Sequence, residues 1–233
     1  MKNFDDIRFQ ELQEGLYDPN IFKAFFLAGG PGSGKTFVTS SAFGGTGLRT
    51  INSDNAFEVA LKKEGLSLKM PESEQEARDM IRARAKATSS RILDLSIKGR
   101  LGLVIDGTGR DYDKIKYQTG LLKQLGYDCY MIFVNTSLEV AQERNKIRPR
   151  SIPEYIVKKS WEGVQSNIGK FQQLFGIGNM VIVDNNQSDK ELTTMTMFKV
   201  AKSVRRLLSN KISSYTAKRW MATERKLRRR WKY

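Results

Sequence analysis

The stretch "FFLAGGPGSGKTF", residues 25–37, constrains the fold more than any other part of the chain. An apolar run breaks into glycines and ends on a lysine and a threonine. Gly29 is followed, after four residues, by Gly34-Lys35-Thr36, the G-x-x-x-x-G-K-[ST] spacing of a phosphate-binding loop. A loop whose backbone N–H groups turn inward around a phosphate needs residues without a Cβ, here Gly29, Gly30, Gly32 and Gly34, with Ser33 among them. The helix that follows aims its positive end at the same anion. Lys35 then reaches the β- and γ-phosphates of a nucleotide, and the Thr36 hydroxyl ligates Mg2+. A plain glycine-rich turn is the alternative. Against it stand the apolar segment 21–28 before the loop and the helix-like segment 36–42 after it, the context this motif requires.

Further apolar runs at 101–105, 130–134 and 180–183, with a weaker one at 50–51, are separated by stretches of helical spacing. Strands alternating with helices predict an α/β fold with a parallel sheet covered on both faces. The clearest helix is expected over 72–98, after Pro71 and stopped by Gly99, with Ala77, Ile81, Ala85, Thr88, Ile92 and Leu95 on one stripe. Another is expected from the capping-box pattern Thr136-Ser137-Leu138-Glu139 to about Ile147. The organisation read from this is a helical N-terminal segment (1–20), a phosphate-loop domain (21–198) and a basic helical tail (199–233).

Charge separates the tail from the rest. The chain carries +15 overall, and residues 199–233 hold thirteen Lys or Arg against the single acid Glu224, so +12 of it lies there. Within 215–232, Trp220, Leu227 and Trp231 form one helical stripe, with Lys218, Arg219, Arg225, Lys226, Arg228, Arg229, Arg230 and Lys232 around it. Such a segment docks its stripe on the core, binds nucleic acid by stacking and phosphate pairing, or lies on a membrane surface. A lone cysteine, Cys129, and no N-terminal apolar segment read as cytoplasmic, and no run is long enough to span a membrane. With no histidine in the chain, acid–base chemistry falls to carboxylates, lysine, tyrosine or that cysteine.

Ligands of an open parallel sheet sit at the carboxyl ends of its strands. After the second strand, "INSDNAFE" places Asp54 either as a base for an acceptor hydroxyl or as a helix N-cap. After the third, "LVIDGTGR" delivers Asp106 from an apolar run, the arrangement that holds Mg2+ directly or through water, with a solvent-facing turn as the alternative. After the fourth, "ERNKIRPRSIP" (143–153) carries Arg144, Arg148 and Arg150, read as a lid that closes over a triphosphate or as a solvated charge run.

These motifs resemble the zeta-toxin and polynucleotide-kinase group of P-loop kinases. "GGPGSGKT", "INSD" and "LVIDGTGR" with "LLKQLGY" look like a zeta-toxin core, and "RNKIRPRSIP" is similar to the lid of both branches. The resemblance covers roughly 21–185. It implies a five-stranded parallel sheet with ATP at the loop and Asp54 in the place of the catalytic aspartate. Lys35 and Thr36 take the phosphate and metal contacts, and Arg144, Arg148 and Arg150 fall at or beside the lid arginines. Asp106 stands where zeta toxins usually have glutamate, the lid spacing fits neither branch cleanly, and the tail matches neither.

The expected activity is transfer of the ATP γ-phosphate, with Mg2+, to a hydroxyl of a nucleotide-type acceptor. Zeta toxins act on an amino-sugar nucleotide and polynucleotide kinases on a 5′-hydroxyl, and an antitoxin-like protein inhibitor is left unassigned. A non-catalytic, nucleotide-dependent module docking on nucleic acid through the tail is the alternative. It would dispense with the acceptor-side carboxylate, which Asp54 supplies.

Overall fold

The computed structural model describes residues 15–68, 71–148, 151–186 and 189–230. Strand β1 (Lys23–Ala28) is buried along its whole length. It is the centre of a five-stranded sheet completed by β2 (Arg49–Ile51), β3 (Leu103–Asp106), β4 (Asp128–Asn135) and β5 (Met180–Asp184). All pairings are parallel and the order is β2-β3-β1-β4-β5, which makes β1 the point where the chain reverses its direction of travel across the sheet. A crevice opens at the carboxyl end of such a strand, and the glycine loop follows β1 directly.

The α-helices that follow β1 are α1 (Lys35–Phe43), α2 (Ser53–Lys63), α3 (Gln75–Lys98), α4 (Tyr112–Leu125), α5 (Leu138–Lys146), α6 (Glu154–Gln165), α7 (Ile168–Phe175), α8 (Lys190–Ser209) and α9 (Tyr215–Arg230). Side chains alternate across the strands. Phe25, Leu27, Tyr130 and Ile132 enter one core with Val38 and Ala42 of α1 and Met197, Val200 and Val204 of α8. Phe26, Met131 and Phe133 enter the other, with Ile115 of α4, Phe171 of α7 and Ala217 of α9. A satellite cluster of Phe57, Leu61, Ile81 and Ala85 joins α2 to α3.

Several local expectations are corrected. On α3 the buried row is Ile81, Ala85, Ser89 and Ser96, while Ile92 and Leu95 are exposed. The helix turns its i, i+4 row inward, with Ile81 and Ala85 against α2, so the neighbouring apolar row faces out. The cap of α5 is Ser137, whose Oγ accepts from Val140 N at 3.3 Å, and Thr136 is buried beneath it. Helix α8 runs unbroken through residues 198 and 199, so the break before the basic tail falls at 210–214. Of the expected N-terminal helical segment, residues 1–14 lie outside the described residues and 15–17 are helical.

The tail's docking is built on the amino-terminal ends of the strands. Lys23, almost wholly buried, donates to Asp128 Oδ2 at 2.8 Å, to the Asn210 carbonyl at 2.7 Å and to the Tyr130 hydroxyl at 3.3 Å. Ser213 Oγ donates to the other Asp128 oxygen at 2.6 Å. The α8–α9 link is thereby tied to β1 and β4. Gly126 ends α4 at φ 104°, and a Cβ there would lie 2.8 Å from Ala217 N, so a side chain at this position would hold α9 off. On α9 the inward row is Ala217, Trp220 and Met221, whereas Leu227 of the expected stripe is exposed and Trp231 lies outside the described residues. No helix among the described residues is long and apolar enough to cross a membrane.

Candidate active site

The loop between β1 and α1 is held open by its surroundings. Gly29 N donates to the Thr108 carbonyl at 2.9 Å, joining the loop to the segment after β3. Gly34 sits at φ 89°, and a Cβ there would lie 2.3 Å from Asn185 Nδ2. That amide, just past β5, donates to the Ser33 carbonyl at 2.8 Å. Sequence reasoning missed Asn185, although its place after a strand end was the available signal. Lys35 folds back to donate to the Gly29 carbonyl at 2.7 Å. Its burial lowers its pKa, the Asp106 and Asp54 carboxylates pull the other way, and Arg148 adds to the lowering.

Asp106 ends β3 opposite Leu27 in the register, placing its carboxylate beside the loop. Burial raises its pKa, Lys35 opposes that, and Asp54 adds to it. Its Oδ2 accepts from Asn52 Nδ2 at 2.5 Å, while Oδ1 is buried with no hydrogen-bond partner. An orphaned carboxylate oxygen is expensive unless something cationic meets it. Among the described residues no three His, Cys, Asp or Glu side chains converge as a metal cage. Mg2+ commonly takes only one or two protein oxygens and completes its shell with phosphate and water, so Asp106 and the exposed Thr36 hydroxyl fit that ion.

Asp54 lies in the first turn of α2, and the cap is Asn52, whose Oδ1 accepts from Asp54 N at 2.8 Å and Asn55 N at 3.1 Å. The capping alternative for Asp54 is therefore removed. Its carboxylate is largely exposed, 3.9 Å from Arg82 of α3, and close enough to Lys35 and Asp106 to act on both electrostatically.

The three arginines expected to form a lid differ in their placement. Arg144 is half-buried and donates to the Asn185 carbonyl at 2.8 Å, against the back of the loop. Arg148 is exposed just past α5 and within electrostatic range of Lys35. Arg150 lies outside the described residues. The buried Asn145, unnoticed in the sequence, brackets this segment. Its Nδ2 donates to the Ile152 carbonyl at 2.7 Å and its Oδ1 accepts from Ile152 N at 3.2 Å. Trp161 Nε1 reaches the Thr136 carbonyl at 2.7 Å and seats α6 over the loop beside Gly30.

Next to Asp106 a cavity of about 460 Å3 runs between α3 and α4. Its floor is Phe26, Ile105 and Ile115, and Lys86, Ser89, Ser90, Thr108 and Lys114 furnish its polar wall. The arrangement offers a phosphate cradle on one side of Asp106 and a separate, polar-walled chamber on the other.

The zeta toxin family model matches residues 17–194. The chain belongs to the zeta toxin family. Among curated protein sequences none matches it. Solved structures share its fold at low identity. A candidate kinase from Chloroflexus aurantiacus j-10-fl is 17% identical, with a TM-score of 0.52 over 81% of this chain and 97% of that one. AvrRxo1-ORF1 with AvrRxo1-ORF2 and sulphate ions gives 13% identity and a TM-score of 0.55 over 94% of this chain and 87% of that one. The same complex with ATP gives 12% and 0.55 over the same shares. For this zeta toxin member, family and fold together are those of a P-loop kinase, as the loop motif and the five-stranded parallel sheet require.

Proposed function

We propose that the protein transfers the γ-phosphoryl group of ATP to a hydroxyl of a small nucleotide-type acceptor. The observation that carries this reading is the chamber beside Asp106, separate from the glycine loop and of a size that suits a small-molecule ligand. Lys86 and Lys114 at its wall supply cations for an anionic acceptor, and its hydroxyls supply partners for a sugar or base. A recess between two helices with lysines and hydroxyls at its wall suits an amino-sugar nucleotide.

Phosphoryl transfer asks chiefly for positioning and neutralisation of charge. The loop N–H groups and Lys35 hold the β- and γ-phosphates. Thr36 and Asp106 would hold Mg2+, which when bound would offset the negative charge of the phosphates. Negative charge bound beside Lys35 favours its protonated form, against the burial that lowers its pKa. Asp54 accepts the proton of the acceptor hydroxyl as it attacks, and Arg148, exposed just past α5, neutralises the transferring group. Arg144 keeps the back of the loop in place.

The test is an ATP-dependent phosphate-transfer screen over UDP-sugars, nucleosides, nucleotides and 5′-hydroxyl oligonucleotides. A UDP-amino sugar is the expected acceptor. Asp54→Asn is expected to lower transfer by about 10²–10⁴ while ATP still binds, and Lys35→Ala to abolish turnover in a folded protein. Normal turnover in Lys35→Ala, or transfer to 5′-hydroxyl ends alone, refutes the reading.

A further inference from the structure

We propose that α9 is a docking surface for double-stranded DNA, separate from the phosphotransfer site. The helix is fixed to the body by its inner row. Ala217 is fully buried, the Trp220 ring meets Phe22 edge-on with centroids 5.5 Å apart, and the Arg100 guanidinium lies 5.8 Å from the Trp220 ring centre. What remains outward is a row of cations. Lys218, Arg225 and Arg229 follow one another at i, i+7 and i+11, and Arg219 and Lys226 lie one position around the helix at the same spacing. All five are exposed, and among the described residues none is ion-paired. At about 1.5 Å per residue the row spans roughly 16 Å, a straight line of charge on a rigid support.

The way the helix is docked selects among polyanions. A helix that lies in a lipid headgroup layer needs a continuous apolar face. Here that face is spent on the core, and the large apolar side chains left exposed on α9 are Tyr215 and Leu227. Binding of single strands draws on aromatic platforms for the bases, and Trp220 is engaged with Phe22 and Arg100. A fixed line of cations suits the highest linear charge density, one phosphate charge per about 1.7 Å of duplex axis. A helix is admitted by the major groove of B-form DNA and refused by the deep, narrow groove of duplex RNA.

Position makes the surface independent of catalysis. α9 packs on Phe22, Gly126 and Tyr127, at the amino-terminal ends of β1 and β4, while the glycine loop follows their carboxyl ends. The six residues of β1 put roughly 20 Å between the two.

The experiment titrates the full-length protein with a labelled DNA duplex of about 20 base pairs over a range of salt, alongside the matching single strand, duplex RNA and vesicles of phosphatidylcholine and phosphatidylserine. With four or five phosphates neutralised, log K is expected to fall against log salt with a slope of about −4. The triple variant Lys218→Gln/Arg225→Gln/Arg229→Gln is expected to flatten that slope by about 3 and weaken binding at least tenfold. ATP turnover and melting temperature should remain unchanged in it. Lys35→Ala is expected to bind duplex as the parent does. The double variant Arg219→Gln/Lys226→Gln gives an independent reading, with a slope change of about 2, should the triple variant fold poorly. Absence of duplex binding, an unaltered slope in both variants, or tighter binding of single strand, RNA or vesicles overturns the proposal.

Discussion

The side-chain amide of Asn52 joins two elements of the candidate site: its Nδ2 donates to Asp106 Oδ2 at 2.5 Å while its Oδ1 caps the helix that carries Asp54. One residue thus holds both the Asp106 carboxylate and the start of α2. We expect Asn52→Ser, which keeps a cap but is too short to reach Asp106, to change stability by less than about 1 kcal/mol. Loss of a donor to the ionised form raises the carboxylate pKa. The acid limb of the pH–rate profile should therefore move to higher pH, with kcat/KM reduced about tenfold. An unmoved acid limb would show that Asn52 serves only as a cap.

The ionisation of Asp106 predicts how the free protein responds to pH. Burial raises its pKa in the fold, so on rising through that window the unfolded chain loses its proton first and the native state holds more protons. Stability then falls as pH rises, until Asp106 is ionised in both states. Asp106→Asn removes this penalty. It should melt higher than the parent at neutral pH without Mg2+ and lose the stabilisation that Mg2+ with ATP gives the parent. Thermal melts from acid to neutral pH, with and without both ligands, check it. A parent whose neutral-pH melting point already exceeds that of the variant would contradict the argument.

The glycine loop and the alternation of strands and helices were legible because each is a local pattern tied to one structural demand, and the places of Asp54 and Asp106 just past the second strand and at the end of the third were readable in the same way. The residues that fix their positions were not. Asn185 acts on Ser33, which lies 152 positions earlier, and Asn52 acts on Asp106, 54 positions later. A lone asparagine carries no periodicity or spacing that betrays a distant partner. The outward turn of Ile92 and Leu95 on α3 was illegible for a related reason. Which of two adjacent apolar rows is buried is decided by the neighbour it packs on, and the helix's own sequence does not name that neighbour.

Cys129 reports on the seat of the tail. It is buried on β4, its thiol is pushed up to about 12, and it lines the polar recess formed with Lys211, Ser213 and Ser214 of the α8–α9 link. The thiolate is the reactive form, so at pH 8 native Cys129 should react with a disulfide reagent about 10³-fold more slowly than the unfolded chain. Substituting Ser213 by alanine removes the bond to Asp128 and should speed labelling before global unfolding. Rapid labelling of the native parent would mean that the link does not cover this strand.

Trp220 separates the structural from the recognition role of α9. Its ring bridges Phe22 and Arg100, two non-glycine residues held at φ 59° and 58°, a conformation that persists only where surrounding contacts enforce it. Trp220→Ala removes that bridge and opens a gap beside the fully buried Phe22. Full truncation of a buried tryptophan costs about 3–5 kcal/mol, and this one is half-buried, so about 2–3 kcal/mol is expected. For a chain of this size that corresponds to a fall of about 4–12 °C in melting temperature. The outward cations should behave in the opposite way. Removing Lys218, Arg225 and Arg229 lessens repulsion along one helix face and leaves the inner row untouched, so the melting temperature holds while salt-dependent DNA binding is lost. Calorimetry and DNA titration of the two variants side by side decide the matter. If Trp220→Ala melts like the parent, α9 is not anchored by this ring; if the cation variant melts far lower, its charges are structural.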